Sequence, residues 1–265
     1  MKKRYLFIIV FILAGLGGGY FLAMLDDSRT RWTGAPSDFQ TGNVPKAGND
    51  LQTVPMDPGG KIFSETATDK PVEFDVPFVI QAPTGNWDDP VFQNACEESS
   101  IIMAMGWVDG VESISPSDAQ RRISEMYDFE MRTFGYGFDT DVFDVKRIFE
   151  QYLRHSNVSV REDIGVADIK KELQGGKLVI VPAFGQVLAN PYYTPPGPVA
   201  HMLVITGYDP AAREFITNDP GTKRGSGYRY DEDVLLRSVW QYPSGQNIPP
   251  VPSGNFKKAM IVVGK

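Results

Sequence analysis

The chain has 265 residues, 42% of them hydrophobic and 12% aromatic, enough to bury a core and to exclude wholesale disorder. Its formal net charge is −7, and three basic residues (Lys2, Lys3, Arg4) precede the first apolar run, leaving 23 basic against 33 acidic residues beyond it, a net of −10. A domain so acidic is a poor partner for nucleic acid, whose phosphates need clustered Lys and Arg. One cysteine, Cys96, rules out an intrachain disulfide, and two histidines, His155 and His201, with no metal-ligand spacing disfavour a zinc site. No metal or cofactor is implied.

Residues 5–25 carry no charge and, at about 1.5 Å per residue, span roughly the 30 Å of a bilayer's hydrocarbon core. Lys2, Lys3 and Arg4 flank them on one side, Asp26 and Asp27 on the other, so the positive-inside rule puts the N-terminus in the cytoplasm and the remainder outside. A cleaved signal peptide is the competing reading, against which stand the length of the run and the lack of an Ala-x-Ala site. The organisation expected is bacterial-type: anchor 1–25, flexible Gly/Pro/Ser/Asn-rich linker 26–70, and one globular domain 71–265.

Within the domain, Val72–Ile80 alternates and predicts a strand, followed by a Pro/Gly/Asp loop. Helices are predicted over Ala95–Val108, Ser115–Phe134, Asp141–Leu153 and Val166–Leu173, the second opened by Ser115-Pro116 and the last stopped by Gly175-Gly176. Strands are predicted at Val158–Val160, Lys177–Ala183, His201–Tyr208, Glu214–Thr217 and Ala259–Val263. Helices followed by an antiparallel sheet make an α+β pattern.

Three residues could carry chemistry. Asn94-Ala95-Cys96-Glu97 has the spacing of a capping box, with Asn94 as N-cap and Glu97 returning, which puts Cys96 in a first helical turn. Unpaired N–H groups there favour a thiolate, whereas Glu97 and Glu98 oppose one; a small buried hydrophobe is the bland alternative. His201 opens a strand whose hairpin with the next brings Asp219 close across the ladder, provided a small bulge turns both side chains to one face. Asp219 also fits a plain turn residue in Asn-Asp-Pro-Gly. His155 lies in a polar segment and reads as solvated. Gln81 and Gln93 each offer an amide N–H to an oxyanion. The stiff aromatic loop 190–198 either walls a cleft or crosses the sheet end.

The stretches FDVPFVIQAP, NACEESSIIMAM, GPVAHMLVITGYDP and FITNDPG resemble the papain-like cysteine peptidase family thirty-nine, the bacteriocin-processing peptidases that cut after double-glycine leaders and their stand-alone relatives. The likeness covers most of residues 74–221. It implies a papain-like fold, N-terminal helices packed on an antiparallel sheet, with Cys96 as nucleophile, His201 as base, Asp219 as orienting acid and Gln81 at the oxyanion hole. Two features depart from the family: Glu97 stands where Gly commonly follows the cysteine, and Gln81 lies fifteen residues before Cys96 rather than about six. No nucleotide-binding segment accompanies the domain. The function implied is a membrane-anchored extracytoplasmic thiol peptidase acting on a peptide or protein substrate, with a thiolate that alkylates fast below pH 7. The alternatives are an idle papain-fold binding module and a cell-wall peptide amidase.

Overall fold

A computed structural model of the chain describes residues 70–246, 249–251 and 256–265, all within the unit Phe63–Lys265. The first strand is β1 (Val72–Glu73), followed by one turn of helix, α1 (Pro90–Gln93), and then α2 (Cys96–Val108). Next come α3 (Pro116–Thr133) and α4 (Val142–Arg147), the latter running on through a π turn at Ile148–Tyr152. The sheet is built from β2 (Val158–Glu162), β3 (Leu178–Phe184), β4 (Ala200–Asp209), β5 (Glu214–Asn218), β6 (Tyr228–Asp231) and β7 (Ala259–Val263). Three helices interrupt it: α5 (Val166–Gln174), α6 (Gly185–Leu188) and α7 (Glu232–Ser238).

Every strand pairing is antiparallel, in the order β2-β7-β3-β4-β5-β6, and β1 pairs with β4 beyond the start of β3. The α+β class and the antiparallel sheet are as the sequence indicates. The N-terminal helices pack on the sheet as expected, and later helices cover its other face. One face of the sheet (Leu178, Ile180, Met202, Val204, Ile261) packs on α2 and α4, with α3 against α2, and the other (Val179, Val181, Leu203, Ile205, Val262) on α5 and α7. This explains the unbroken apolar runs in β3, β4 and β7: a strand covered on both faces has no side on which alternation can place polar residues.

Helix α2 sits against the sheet with Cys96 to Ala104 all buried: from Ile101 on its sequence is apolar, while Glu97, Glu98, Ser99 and Ser100 carry polar groups into the interior. Ser115 caps α3 by accepting from the Asp118 N–H (3.2 Å), with Pro116 in its first turn, as the sequence indicates. The predicted strand Val72–Ile80 is shortened to two residues. Pro77 has no N–H to donate, so the segment continues as extended chain, held by Phe74 N–H on Thr206 O (2.8 Å) and Asn218 Nδ2 on Val76 O (3.1 Å). Strand β6 and helix α7 have no counterpart in the sequence reading. Among the described residues no helix is long and apolar enough to cross a membrane; the segment 5–25 read as a span, and the linker to residue 69, lie outside the described residues.

The register of β4 and β5 governs the site. Near the hairpin, Asp209 faces Glu214, Tyr208 faces Phe215 and Gly207 faces Ile216; past a bulge at Thr206, Ile205 faces Thr217 and Val204 faces Asn218. The bulge shifts the pairing by one residue. Without it His201 and Asp219 would fall on opposite faces; with it they share one.

Gly207, beside the bulge, is where β1 approaches most closely: a Cβ there would lie 2.4 Å from Val72 O. A backbone atom cannot yield as a flexible side chain does. Gly207→Ala should therefore destabilise the domain by about 1–3 kcal/mol, read as a lower urea midpoint.

Candidate active site

Cys96 is the first residue of α2, but the capping box expected there does not form. Asn94 ends the one-turn helix α1 instead, its Nδ2 donating to Pro90 O (2.8 Å), and Asp89 caps that helix through the Val91 N–H (2.9 Å). The position before α2 is Ala95, with no side-chain cap. Glu97 turns away from the backbone. Its Oε2 accepts from the Cys96 thiol (3.0 Å), and its Oε1 accepts from the Tyr242 hydroxyl.

His201 lies at the start of β4, against Ala183 of β3, and Asp219 directly follows β5. His201 Nε2 is 2.9 Å from Asp219 Oδ1, both groups buried. Gly221 N–H donates to the same oxygen (3.0 Å). The other oxygen, Oδ2, accepts from the Tyr193 and Tyr230 hydroxyls (2.6 Å each) and from Asn190 Nδ2 (3.2 Å). Burial pushes the Asp219 carboxyl up, yet the histidine and the two tyrosine donors prevail and hold it down at about 2. An ionised carboxylate only accepts, so the hydrogen between the two residues sits on Nε2, and Nδ1 is the ring nitrogen left to take a proton.

Cys96, His201 and Gln81 border one cavity of about 680 Å³. The loop 190–198 supplies Tyr193, Thr194, Pro196 and Pro198 to its wall, with Trp87 and Phe138 from other segments, so the cleft-wall reading of that loop stands. The fifteen-residue gap between Gln81 and Cys96 is closed by one hydrogen bond: Gln81 Nε2 donates to Gln93 O (2.6 Å), with the 84–92 segment looped out between. Gln81 N–H also donates to Pro220 O (3.1 Å), which ties this residue to the Asp219 turn. Gln93 reaches the cavity too, but from an exposed position. His155 does not border it. Contrary to the expectation of solvation, its Nε2 is buried without a hydrogen-bond partner, the imidazole lying tilted beside the Phe149 ring.

Sequence reasoning missed the residues that surround Asp219 and Glu97. Asn190, Tyr193 and Tyr230 come from a loop and an edge strand, and Tyr242 from the segment after α7. The one available signal was the Tyr-Arg-Tyr alternation of residues 228–230, which marks an edge strand with both tyrosines on one face.

The electrostatics at the cysteine run opposite to those at Asp219. Glu97, Glu98 and Glu130 are buried, and Asp139 nearly so. Burial, with Glu98 and Asp139 nearby, pushes the Glu97 carboxyl up to about 8; burial and its acidic neighbours push Glu130 up to about 8 and Glu98 upward as well. Glu98 Oε2 and both Glu130 oxygens have no hydrogen-bond partner as ionised acceptors; a proton shared between these two carboxyls supplies the donor. Burial, then Glu97, pushes the Cys96 thiol up. The helix start therefore does not by itself yield the readily formed thiolate expected from the sequence, because burial outweighs the N-terminal field.

The chain belongs to the peptidase C39-like family, whose model matches residues 73–248. No curated protein matches it. Among solved structures, a crystal structure from Bacillus anthracis, described as a C39-like peptidase, is 15% identical with a TM-score of 0.47, and the match covers 74% of this chain and 99% of that one.

The neutral carboxyls make stability depend on pH with a definite sign. A carboxyl raised from 4.5 to about 8 keeps its proton in the folded state while the unfolded chain loses it; the stability so gained is present below about 4.5 and is lost as pH rises to about 8. Asp219, lowered to about 2, contributes a constant amount above about pH 5. The urea midpoint should therefore fall between pH 5 and pH 8, and Glu130→Gln should flatten that fall. A midpoint that rises over this interval would contradict the assignment.

Proposed function

We propose that this member of the peptidase C39-like family is a membrane-anchored, extracytoplasmic cysteine peptidase that hydrolyses peptide or amide bonds through Cys96, His201 and Asp219. The observation that carries this reading is the His201 Nε2–Asp219 Oδ1 bond on the wall of the cavity that Cys96 also borders. His201 Nδ1 accepts the thiol proton, and the thiolate attacks the substrate carbonyl. The imidazolium then protonates the leaving amine, and the neutral imidazole activates water to release the acyl group. Asp219 fixes the ring and stabilises its charged form. Gln81 spends one amide hydrogen on Gln93 O and has a second for the oxyanion, alongside the backbone N–H groups at the start of α2. Such a donor contributes about 3–4 kcal/mol.

A second reading, an idle papain-fold binding module, is favoured by the upward-pushed thiol and its bond to Glu97. The two diverge under assay with a peptide library and with isolated cell-wall stem peptides, products being read by mass spectrometry. The peptidase reading expects cleavage that Cys96→Ala and His201→Ala each abolish. Asp219→Asn should lower it by up to about 10⁴-fold, the loss that follows when an orienting carboxylate is neutralised. His155→Ala should leave it unchanged. A wild type that binds peptides and cleaves none decides for the binding module.

Residues 1–25 as anchor, 26–70 as tether and 71–265 as the external domain complete the proposal, supported by the charge asymmetry around residues 5–25. Protease applied to intact protoplasts should release the domain; its full protection would refute the topology.

A further inference from the structure

The acid beside the nucleophile has a chemical role that its position spells out. Glu97 is buried at the start of α2, with its two oxygens committed to different partners: Oε1 accepts from the Tyr242 hydroxyl, and Oε2 lies 3.0 Å from Cys96 Sγ. A carboxyl group carries its proton on one oxygen only. Since Tyr242 donates to Oε1, that oxygen is the carbonyl of the neutral acid, and the proton falls on Oε2, facing sulfur. The Cys96–Glu97 contact thus runs in two directions. An ionised Glu97 accepts from the thiol and repels a thiolate; a neutral Glu97 donates to sulfur and stabilises one.

We propose that Glu97 is a catalytic residue that acts as a neutral acid, donating its Oε2 proton in a hydrogen bond to the Cys96 thiolate while His201 holds the proton taken from the thiol. The assignment rests on the reading of Cys96 as nucleophile. The exchange balances: the S–H bond breaks, its proton forms an N–H bond on His201 Nδ1, and Glu97 keeps its own proton throughout. The transfer leaves one negative charge on sulfur and one positive charge on His201, and a neutral Glu97 adds no second negative charge beside the thiolate, as an ionised one would.

The surroundings keep Glu97 neutral at ordinary pH. From its own helix it is faced by Cys96 and Glu98, from α3 by Glu130, from the segment before α4 by Asp139 and from the segment after α7 by Tyr242. None of these brings a positive charge, and burial with Glu98 and Asp139 pushes its carboxyl up to about 8. The opposition of Glu97 to a thiolate therefore applies only to its ionised form, above that range.

The test is the rate of Cys96 alkylation by iodoacetamide against pH, with no substrate present, on the folded wild type and on variants checked by thermal melting. Glu97→Gln mimics the neutral acid: its carbonyl oxygen meets Tyr242 and its amide N–H meets sulfur, at every pH. The ratio of the Glu97→Gln rate to the wild-type rate should be near one at pH 6.5 and rise at least tenfold by pH 9.5. Glu97→Leu, which fills the site without a donor, should alkylate at least tenfold more slowly than Glu97→Gln at pH 7. The wild type alone carries a signature as well, a log-rate slope below one per pH unit between about pH 7.5 and pH 9 as the donor is lost. A ratio independent of pH, a Glu97→Leu rate equal to that of Glu97→Gln, or a strict unit slope in the wild type overturns the proposal. These readings need no turnover, so a wild type that cleaves nothing would remove the peptidase reading and leave this contrast to be judged by itself.

Discussion

The buried carboxylate of Asp219 is the constraint from which most of the site follows. An isolated charge at that depth is prohibitive, and here five donors converge on it: His201, Gly221, Tyr193, Tyr230 and Asn190. Each donor fixes a different segment. Asn190 and Tyr193 hold the loop that walls the cleft, Tyr230 ties down the edge strand β6, Gly221 shapes the turn after β5, and His201 is locked in one tautomer. The turn is pinned in return, with Asp219 N–H on Gly225 O (2.9 Å) and no room for a Cβ at Gly225, where it would meet Asp219 O. Loss of this charge would loosen the cleft wall, the sheet edge and the histidine together.

On the cysteine side the protein solves the same problem in the opposite way. Glu97, Glu98 and Glu130 are about as deeply buried as Asp219, yet among the described residues no cation and no comparable set of donors faces them, so they are held neutral by their own protons. One end of the cleft is thus a fixed negative charge and the other a neutral, protonated cluster. The division suits the proposed proton traffic: Asp219 stabilises positive charge on His201, while neutral acids leave room for negative charge on sulfur. A pocket whose carboxyls were all ionised would oppose the thiolate, and an Asp219 that was neutral would not orient the imidazole.

What was legible in the sequence follows how local each cause is. The start of α2 at Cys96, the hairpin that carries His201 toward Asp219, and the loop 190–198 all have short-range signatures. The capping box was misread because Asp89-Pro90 starts a one-turn helix just upstream, and Asn94 closes that helix rather than opening the next. The bulge at Thr206 was legible only as a requirement: without it the two residues could not share a face, but nothing in Val-Ile-Thr-Gly fixes its place apart from the glycine that β1 crosses. Tyr230, Tyr242 and Asn190 meet their partners across 11, 145 and 29 residues of chain, and no pattern of composition or period encodes such meetings.

The position of the site follows from the antiparallel topology. Strand β4 begins where its neighbour β5 ends, so His201 and Asp219 come to the same end of the sheet although eighteen residues separate them. Helix α2 packs on β4 with its N-terminus toward that end, which brings Cys96 to the cavity that His201 borders. All three residues therefore belong to, or directly follow, rigid elements, and the cleft walls come mainly from the connections 81–95 and 185–199. Such a division separates two demands. Under the proposed reading the reacting groups need geometry held within about half an ångström, which packed elements supply, while loop residues such as Trp87 and Pro198 line the cleft where a substrate would lie. The link between Gln81 and Gln93 joins the two systems, since it anchors a wall loop beside the helix that carries Cys96. A change at Trp87 or Pro198 can thus reshape the cleft while leaving the histidine on its carboxylate undisturbed, whereas a change at Tyr193 would reach Asp219 directly.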